Sequence, residues 1–430
     1  MEIHVVQPGD TLYSIGARYG VAAGFVARYN GLREPYRLAV GQSLLVLRPQ
    51  EVYTVRAGDT LSGIAAMTGL TVSELLRRNP NLADAQTLYP GQVLVTRLES
   101  DRRRSIELAG YAYPFAEASV LRGILPYAGI LAPFTYGFTA SGGLVELEDR
   151  RLLSLSRQYG AESCLHLSTI TEDGTFSAFR AQQLFADAAA QQRLAENVVK
   201  TMAEKGYAGL DVDFEYLGGE LAGAYADFLG LLRQAVHAQG WPLTAALAPK
   251  TYAAQPGVLY EGHDYRRIGE NTDAVLVMTY EWGYTYGPPM AVAPIGSVRR
   301  VLEYAVSEVP REKILMGFPN YGYDWTLPYE AGSTRARLLG NEAAPLLAAR
   351  VGAEIEYDEV SQTPYFHYMD ENGAVHEVWF EDVRSSLAKF DLMEELELRG
   401  FGYWNFMRPF TANFALLDAL FRIQRPSGEP

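Results

Sequence analysis

Three carboxylic acids occupy alternate positions in residues 209–216, at Asp211, Asp213 and Glu215. Side chains of a β-strand alternate between its faces, so these acids would share one face and the apolar residues between them the other. Like charges held this close raise one another's pKa, and active sites use the effect to keep a proton on an acid near neutral pH. A solvated acidic face on an exposed strand is the alternative. The pattern predicts acid–base chemistry if this strand is enclosed.

The elements that would enclose it are visible after residue 104, where short apolar runs alternate with amphipathic segments. Near-continuous apolar strands that alternate with helices predict an α/β fold with a parallel sheet, here a (β/α)₈ TIM barrel over residues 105–430. A doubly wound open sheet is the alternative, and the missing Rossmann glycine fingerprint weakens it. The candidate strands are 106–113, 131–138, 163–170, 209–214, 243–247, 274–280, 314–318 and 401–406, with crossover helices in 181–205, 220–239 and 297–307.

In such a barrel the three acids crowd into the mouth, at the carboxyl end of a strand, where barrel enzymes carry out their chemistry. The interval between the seventh and eighth strands is too long for one helix. Alternating patterns there predict a small α+β insertion over about residues 330–385, with a hairpin turn at 370–373 that would wall one side of the cleft. His367 and His376 fall in this insertion and are interpreted as structural.

An internal repeat opens the chain. Residues 4–12 reappear as 53–61, and both copies contain Gly-Asp-Thr-Leu, a later Asn and a closing Gly-Gln. Each copy predicts a small βααβ module, at residues 1–48 and 51–97, in which the Asp or Thr of the first motif caps a helix. Two small units in succession indicate avidity for a repeating ligand.

Composition narrows the possible partners. The chain has 430 residues, 37 basic against 51 acidic, and a net charge of -14, which opposes binding to nucleic acid or anionic lipid. No apolar run reaches the length of a membrane span, and no signal peptide is recognised at the N-terminus. The single Cys164 and six scattered His indicate neither a disulfide framework nor a metal site. The protein is expected to be a monomer, and its expected partner is a neutral polymer or a small molecule.

The N-terminal repeat closely resembles the LysM module, which binds N-acetylglucosamine-containing glycans such as peptidoglycan and chitin. The resemblance implies a sugar groove between the Gly-Asp-Thr-Leu loop and the loop before the final strand. Its residues would be Asp10, Thr11 and Leu38 in the first copy, and Asp59, Thr60 and Leu88 in the second.

The carboxylate strand resembles the Asp-x-Asp-x-Glu signature of glycoside hydrolase family 18. A further Asp that often begins this signature is replaced by Ala208, and the family's Met-x-Tyr-Asp has a counterpart in residues 278–281 that ends in Glu281. Residues 282–284, 287–295, 317–325 and 402–406 look like the spore cortex-lytic branch more than true chitinases. Two LysM modules ahead of the barrel fit the same branch.

The resemblance implies substrate-assisted, retaining hydrolysis without a cofactor or metal. Glu215 would act as acid and base, Asp213 would hold the acetamido N–H, Asp211 would share a proton with Asp213, and Tyr280 would orient the acetamido oxygen. Trp404 would form the floor under the sugar. Tyr111, Met278, Glu281 and Asn320 would line the pocket.

The expected activity is cleavage of β-1,4 bonds after N-acetylglucosamine in spore cortex peptidoglycan, by a protein located on the spore. A chitinase or an endo-β-N-acetylglucosaminidase is the alternative among enzymes. A non-catalytic lectin is the alternative of another class, and the intact Glu215 argues against it. The sequence leaves exo and endo action equally open.

Overall fold

A computed structural model describes residues 1–82, 87–100, 102–171 and 174–425. Residues 83–86 of the second predicted module and 426–430 of the predicted barrel domain lie outside these ranges. None of the helices in the described ranges combines the length and the apolar character that crossing a lipid bilayer requires.

Two small modules open the chain, and both have the predicted βααβ order. Thr11 begins the first helix by accepting a hydrogen bond from the Ser14 backbone N–H, and Thr60 does the same for Gly63. The elements are β1 (Glu2–Val5), α1 (Leu12–Tyr19), α2 (Ala23–Tyr29) and β2 (Ser43–Val46), then β3 (Pro49–Thr54), α3 (Leu61–Thr68), α4 (Val72–Arg78) and β4 (Val93–Leu98). In each module the two strands pair antiparallel.

The remaining chain forms one large domain. It begins with β5 (Ser105–Ala112), α5 (Ala118–Ile124), β6 (Ile130–Pro133), β7 (Gly137–Phe138), β8 (Leu144–Val145), α6 (Arg150–Gln158), β9 (Glu162–Ser168), α7 (Ala178–Phe185), α8 (Ala188–Lys205), β10 (Gly209–Asp213) and α9 (Ala222–His237). It continues with β11 (Leu243–Leu247), α10 (Val258–Glu261), α11 (Tyr265–Glu270), β12 (Ala274–Val277), α12 (Ile295–Glu308) and β13 (Ile314–Pro319). The last elements are β14 (Gly322–Leu327), β15 (Arg337–Leu339), α13 (Ala343–Val351), β16 (Glu356–Asp358), β17 (Thr363–Met369), β18 (Val375–Trp379), α14 (Val383–Glu395), β19 (Gly400–Trp404), α15 (Thr411–Leu420) and β20 (Arg422–Ile423).

The predicted barrel is confirmed. Parallel strands lie in the order β5, β6, β9, β10, β11, β12, β13 and β19, and β19 pairs with β5 to close the ring. All eight predicted strand segments contribute. The short β20 adds to the start of β5. Because the ring is closed, every barrel strand has one face turned to the helices and one to the interior.

The predicted crossover stretch at 181–205 contains two helices, α7 and α8. Asp187 separates α7 from α8, and its carboxylate accepts hydrogen bonds from the backbone N–H groups of Ala189 and Ala190. A side chain that caps a new helix start favours a break even where the amphipathic pattern continues.

The insertion between the seventh and eighth barrel strands is a five-stranded antiparallel sheet in the order β15, β14, β18, β17, β16. Its first strand begins at Gly322, ahead of the predicted start near residue 330. His376 packs inside it, with Nδ1 2.8 Å from Asp324 Oδ1 and its ring stacked on Tyr368. These contacts agree with the structural interpretation of this histidine.

Both modules are docked on the large domain. The first contacts the insertion, where Ile355 N–H donates to the Val40 carbonyl at 2.9 Å and Ala39 joins the insertion core. The second contacts the barrel through a buried ion pair, in which Arg77 Nε lies 2.9 Å from Asp418 Oδ1. A backbone hydrogen bond, an apolar contact and a buried ion pair together fix the position of the modules.

The contact at Gly41 is testable. A Cβ at this residue would lie 1.8 Å from the Ile355 carbonyl oxygen, and the φ of +82° adds about 1–2 kcal/mol of strain for Ala. We expect Gly41→Ala to lower the melting temperature and to expose the junction to limited proteolysis. Gly9→Ala is the matched control, because Gly9 has a φ of +85° and no atom within 4 Å of a built Cβ. Equal melting temperatures for the two variants would contradict this contact.

Candidate active site

The three acids of the carboxylate strand lie at the carboxyl end of β10. Asp211 and Asp213 belong to the strand and are almost completely buried, whereas Glu215 follows its end and is half-buried. Leu210, Val212 and Phe214 join the core between barrel and helices. The alternation that the sequence predicts is therefore present, and it directs the acids away from the helix layer.

Asp211 is held from two sides. The Tyr111 hydroxyl donates to Asp211 Oδ2 at 3.1 Å, and His166 Nδ1 lies 2.6 Å from the same oxygen. The other ring nitrogen of His166 lies 3.9 Å from Asp213 Oδ2. His166 is fully buried and stands directly opposite Asp211 in the register of β9 with β10. It therefore links the two aspartates, a role that sequence reasoning missed.

A cleft of about 530 Å³ opens above these residues. It brings together predicted residues from four different barrel strands or the loops after them. Its lining residues are Tyr111, Tyr113, Phe134, Phe176, Asp213, Glu215, Tyr216, Ala246, Pro249, Leu259, Tyr260, Met278, Tyr280, Glu281, Trp282, Tyr284 and Trp404. The mixture of aromatic rings with a few carboxyl groups is typical of a site that binds a sugar and transfers a proton.

The carboxyl groups of the cleft hold protons more tightly than usual. Burial, with the nearby charge of Glu281, raises the pKa of Glu215 to about 7. Burial also raises the pKa of Asp213 well above its usual range, and the charges of Glu215 and Asp211 add to the effect. One oxygen of Asp213, Oδ1, is buried without a hydrogen-bond partner among the described residues. The site can therefore supply a proton near neutral pH and offers an acceptor to a bound group.

Glu281 stands at the edge of the cleft. Tyr321 and Tyr323 donate hydrogen bonds to its carboxylate, the second at 3.1 Å to Oε1. Loss of water around the carboxyl raises the pKa of Glu281, and these two hydrogen bonds oppose that rise. The neighbouring Tyr280 is almost buried, and burial raises the pKa of its hydroxyl well above 10. Tyr280 therefore keeps its proton at neutral pH and can donate a hydrogen bond.

The floor of the cleft is aromatic. Trp404, at the end of β19, is half-buried, and its ring centroid lies 4.9 Å from that of Phe134 and 5.6 Å from that of Tyr111. Phe134 stacks on the imidazole of His166 at 4.8 Å. The rings therefore fix one another, and the indole is left at the surface of the cleft.

The backbone that presents Glu215 is also fixed. His263 is fully buried, accepts a hydrogen bond from the Ala248 N–H at Nδ1, and donates from Nε2 to the Phe214 carbonyl at 2.9 Å. Burial lowers the pKa of His263 to about 4, so the ring is neutral and keeps this tautomer. His263 thus ties the residue before Glu215 to the neighbouring strand end.

Comparison with known proteins supports a glycosidase. The model for glycosyl hydrolases family 18 matches residues 172–408, and the LysM domain model matches residues 4–46 and 53–97. The cortical fragment-lytic enzyme of Bacillus subtilis (strain 168) is 38% identical over 429 residues, which cover 98% of this chain and 99% of the relative. The chain belongs to family 18 of the glycosyl hydrolases.

Two solved structures extend the comparison. The spore cortex-lytic enzyme SleL of Bacillus megaterium QM B1551 is 36% identical with a TM-score of 0.83, and the match covers 98% of each chain. A chitinase from Chromobacterium violaceum ATCC 12472 is 25% identical with a TM-score of 0.66, covering 73% of this chain and 98% of the chitinase. The resemblances to family 18 and to LysM that the sequence indicates are confirmed, and the protein is a family 18 glycosidase.

One of the expected pocket residues of this family 18 enzyme lies elsewhere. Asn320 is fully buried, and its amide donates to the carbonyls of Asn405 and Arg408 at 2.9 and 2.7 Å. It holds the loop after β19 and is not among the residues that line the cleft. Asn320 therefore supports the segment that carries Trp404.

The expected groove residues of the first LysM domain have partners within that domain. Asp10 accepts from the Gln7 backbone N–H at 2.9 Å and lies 2.9 Å from His4 Nε2, and Thr11 forms the helix cap. Leu38 is half-buried against the module core.

The second LysM domain repeats this arrangement. Asp59 accepts from the Tyr53 hydroxyl at 2.8 Å and from the Arg56 backbone N–H at 2.7 Å. Thr60 caps α3, and Leu88 packs half-buried on the module core. In both modules the Asp and Thr side chains stabilise the loop through hydrogen bonds within it. A ligand could therefore bind only to the oxygen lone pairs that these bonds leave open and to the loop backbone.

Replacing Glu281 by Gln should lower the pKa of Glu215 from about 7, because it removes the negative charge that opposes ionisation. Isotope-edited infrared spectra of the carboxyl stretch can follow this titration, and a Glu215→Gln difference spectrum assigns the band. Glu371→Gln is the control, since it removes a charge from an exposed turn and should leave the pKa unchanged. An unchanged pKa in Glu281→Gln would mean that burial alone causes the rise.

Proposed function

We propose that this protein hydrolyses β-1,4 bonds after N-acetylglucosamine in spore cortex peptidoglycan, by a retaining mechanism in which the substrate takes part. Support for the substrate comes from the near full-length similarity to the Bacillus cortical fragment-lytic enzyme and to the spore cortex-lytic enzyme SleL. The observation that carries the chemistry is the meeting of Glu215, buried Asp213 and Tyr280 in one cleft.

Glu215 is the general acid in the first step. Its pKa of about 7 leaves a proton on a large fraction of molecules at neutral pH, and this proton passes to the glycosidic oxygen as the bond to C1 breaks. The acetamido carbonyl oxygen of the same sugar forms a bond to C1 and gives an oxazolinium ion. Glu215, now ionised, removes a proton from water as the water attacks C1, so configuration is retained.

Asp213 and Tyr280 position the acetamido group. The unpartnered Oδ1 of Asp213 accepts from the acetamido N–H, and the negative charge of Asp213 in its ionised form stabilises the oxazolinium ion. The Tyr280 hydroxyl donates to the acetamido oxygen and orients it towards C1. Asp211 shares a proton with Asp213 by way of His166, which lies close to both carboxylates.

The remaining lining residues hold the sugar ring. Trp404 presents an indole at the cleft surface, and a flat amphipathic ring suits the face of a pyranose. Tyr111 combines two roles, since it packs against Trp404 and donates to Asp211. Met278 and Glu281 complete the wall beside Tyr280.

The two LysM modules retain the enzyme on its polymer. We place their sugar contacts at the Asp10 and Asp59 loops, opposite Leu38 and Leu88. Exposed Tyr13 beside the first of these loops adds an aromatic surface for a sugar. The relatives imply a spore-related location, and we assign the protein to the spore coat or cortex surface, where it acts as a monomer.

Glu215→Gln tests the assignment of the acid. The variant should lose roughly 10²- to 10⁴-fold in kcat, the usual contribution of general acid–base catalysis. In the parent enzyme kcat should fall by about tenfold per pH unit above about 7, because deprotonation of Glu215 removes the acid. Glu220→Gln, in the exposed turn that follows, is the matched control and should keep full activity. Retained turnover in a folded Glu215→Gln variant would reassign the acid.

The substrate can be tested by mass spectrometry of products from purified cortex fragments and from chitin oligomers. We expect new reducing-end N-acetylglucosamine from the cortex fragments. Removing the N-acetyl group from the sugar at the cleavage point should abolish hydrolysis, because the attacking oxygen is then missing. Faster turnover of chitin oligomers would favour a chitinase, and equal turnover of acetylated and free-amine glycans would exclude the mechanism.

A further inference from the structure

A second cavity, of about 350 Å³, borders the catalytic cleft. Pro249, Tyr260 and Trp282 line both spaces, so a ligand that extends from the cleft meets this cavity next. The cavity is formed by the loop after β11 and the start of α12. Its further lining residues are Thr251, Tyr252, Gln255, Pro256, Ser297, Arg300 and Val301.

Gln255 contributes an oriented donor to this cavity. Its side-chain oxygen accepts from the Thr251 backbone N–H at 2.7 Å and from the Thr251 hydroxyl at 3.1 Å. A backbone N–H can only donate, so the carbonyl oxygen of Gln255 must face Thr251 and the NH₂ group must face away. Within the described ranges no protein acceptor takes a hydrogen bond from that NH₂ group.

Arg300 contributes a cation. Its Nη2 donates to Ser297 Oγ at 3.0 Å, which limits the freedom of the side chain. In the described part of the chain no carboxylate lies within 4 Å of its guanidinium nitrogens, whereas the adjacent Arg299 pairs with Glu395 at 2.6 Å and with Glu303 at 3.7 Å. Four of the five N–H donors of Arg300 are therefore available to a ligand.

The positive charge of Arg300 lies next to a cleft that is otherwise acidic. The chain has a net charge of -14, and the adjoining cleft contains Asp213, Glu215 and Glu281. Among the described residues that line the two spaces, Arg300 is the one Lys or Arg. A neutral sugar needs no cation, whereas a carboxylate favours a guanidinium, which can donate two parallel hydrogen bonds to it.

In peptidoglycan the sugar on either side of N-acetylglucosamine is muramic acid, which has an O-linked lactyl group and, in many units, a peptide stem. The lactyl group is a free carboxylate where no stem is attached, and an attached stem provides carboxylates of its own, whereas chitin has neither. We propose that the cavity lined by Gln255 and Arg300 binds a carboxylate on the sugar adjacent to the cleaved bond. This subsite rests on the function proposed above, and it selects muramic acid-containing glycans over neutral N-acetylglucosamine polymers.

Arg300→Gln tests the subsite, with kcat/KM measured on four substrates. The two acidic ones are muramic acid oligosaccharides with peptide stems and the same oligosaccharides after an amidase has removed the stems. The two neutral ones are the methyl-esterified oligosaccharides and N-acetylglucosamine oligomers. A hydrogen bond to a charged group contributes about 1.5–3 kcal/mol, so kcat/KM should fall roughly 10- to 100-fold for the acidic substrate that carries the bound carboxylate. Esterified strands and neutral oligomers should be hydrolysed equally by parent and variant. Arg299→Gln is the matched control, and Gln255→Glu should repeat the selective loss by repelling the carboxylate.

The substrates also identify the carboxylate. A loss confined to the strands whose stems have been removed assigns the lactyl carboxylate, because the lactyl group is amide-linked while a stem is attached. A loss confined to stem-bearing strands assigns a carboxylate of the stem. Equal kcat/KM for parent and Arg300→Gln on the acidic strands would overturn the subsite alone, and so would an equal loss on neutral oligomers. A parent enzyme that hydrolyses only N-acetylglucosamine oligomers would overturn the proposed function together with the subsite.

Discussion

The enclosure of like charges at the end of one strand is the constraint on which the rest of this structure depends. Once buried together, Asp211, Asp213 and Glu215 need an environment that neutralises or pairs them, because water no longer screens their charges. The barrel provides it with the Tyr111 hydroxyl and the His166 ring at Asp211 and with aromatic walls around the remaining carboxyls. The same enclosure raises the pKa of Glu215, so packing and proton transfer have a common cause.

Support for this arrangement comes from residues that never contact the substrate in the proposed mechanism. His263 fixes the carbonyl before Glu215, and Asn320 fixes the loop that carries Trp404. Tyr321 and Tyr323 hold Glu281 at the rim. Each uses a polar group that is satisfied within the protein, so the walls of the cleft are set before a glycan enters.

Much of the fold could be predicted from the sequence, because alternating apolar runs and helical periodicity are local properties. The eight barrel strands, the repeated modules and the shared face of the three acids all follow from such patterns. The role of His166 could not be predicted in this way, since it depends on the register of β9 with β10. The break between α7 and α8 at Asp187 and the burial of the Asn320 side chain depend on which backbone N–H and C=O groups lack a hydrogen-bond partner. The periodicity of apolar residues carries no information about this.

The docking of both modules has a consequence for the way in which this enzyme can hold a polymer. Modules on a flexible linker could search a large volume and accept strands at any spacing. Here a backbone hydrogen bond at Val40 and a buried ion pair at Arg77 keep each module in place. The separation between each module's loop and the cleft is then constant. If the module loops bind glycan as proposed, a dense mesh with strands at a matching interval would engage both loops and the cleft at once, whereas a short, released fragment would reach only one of them.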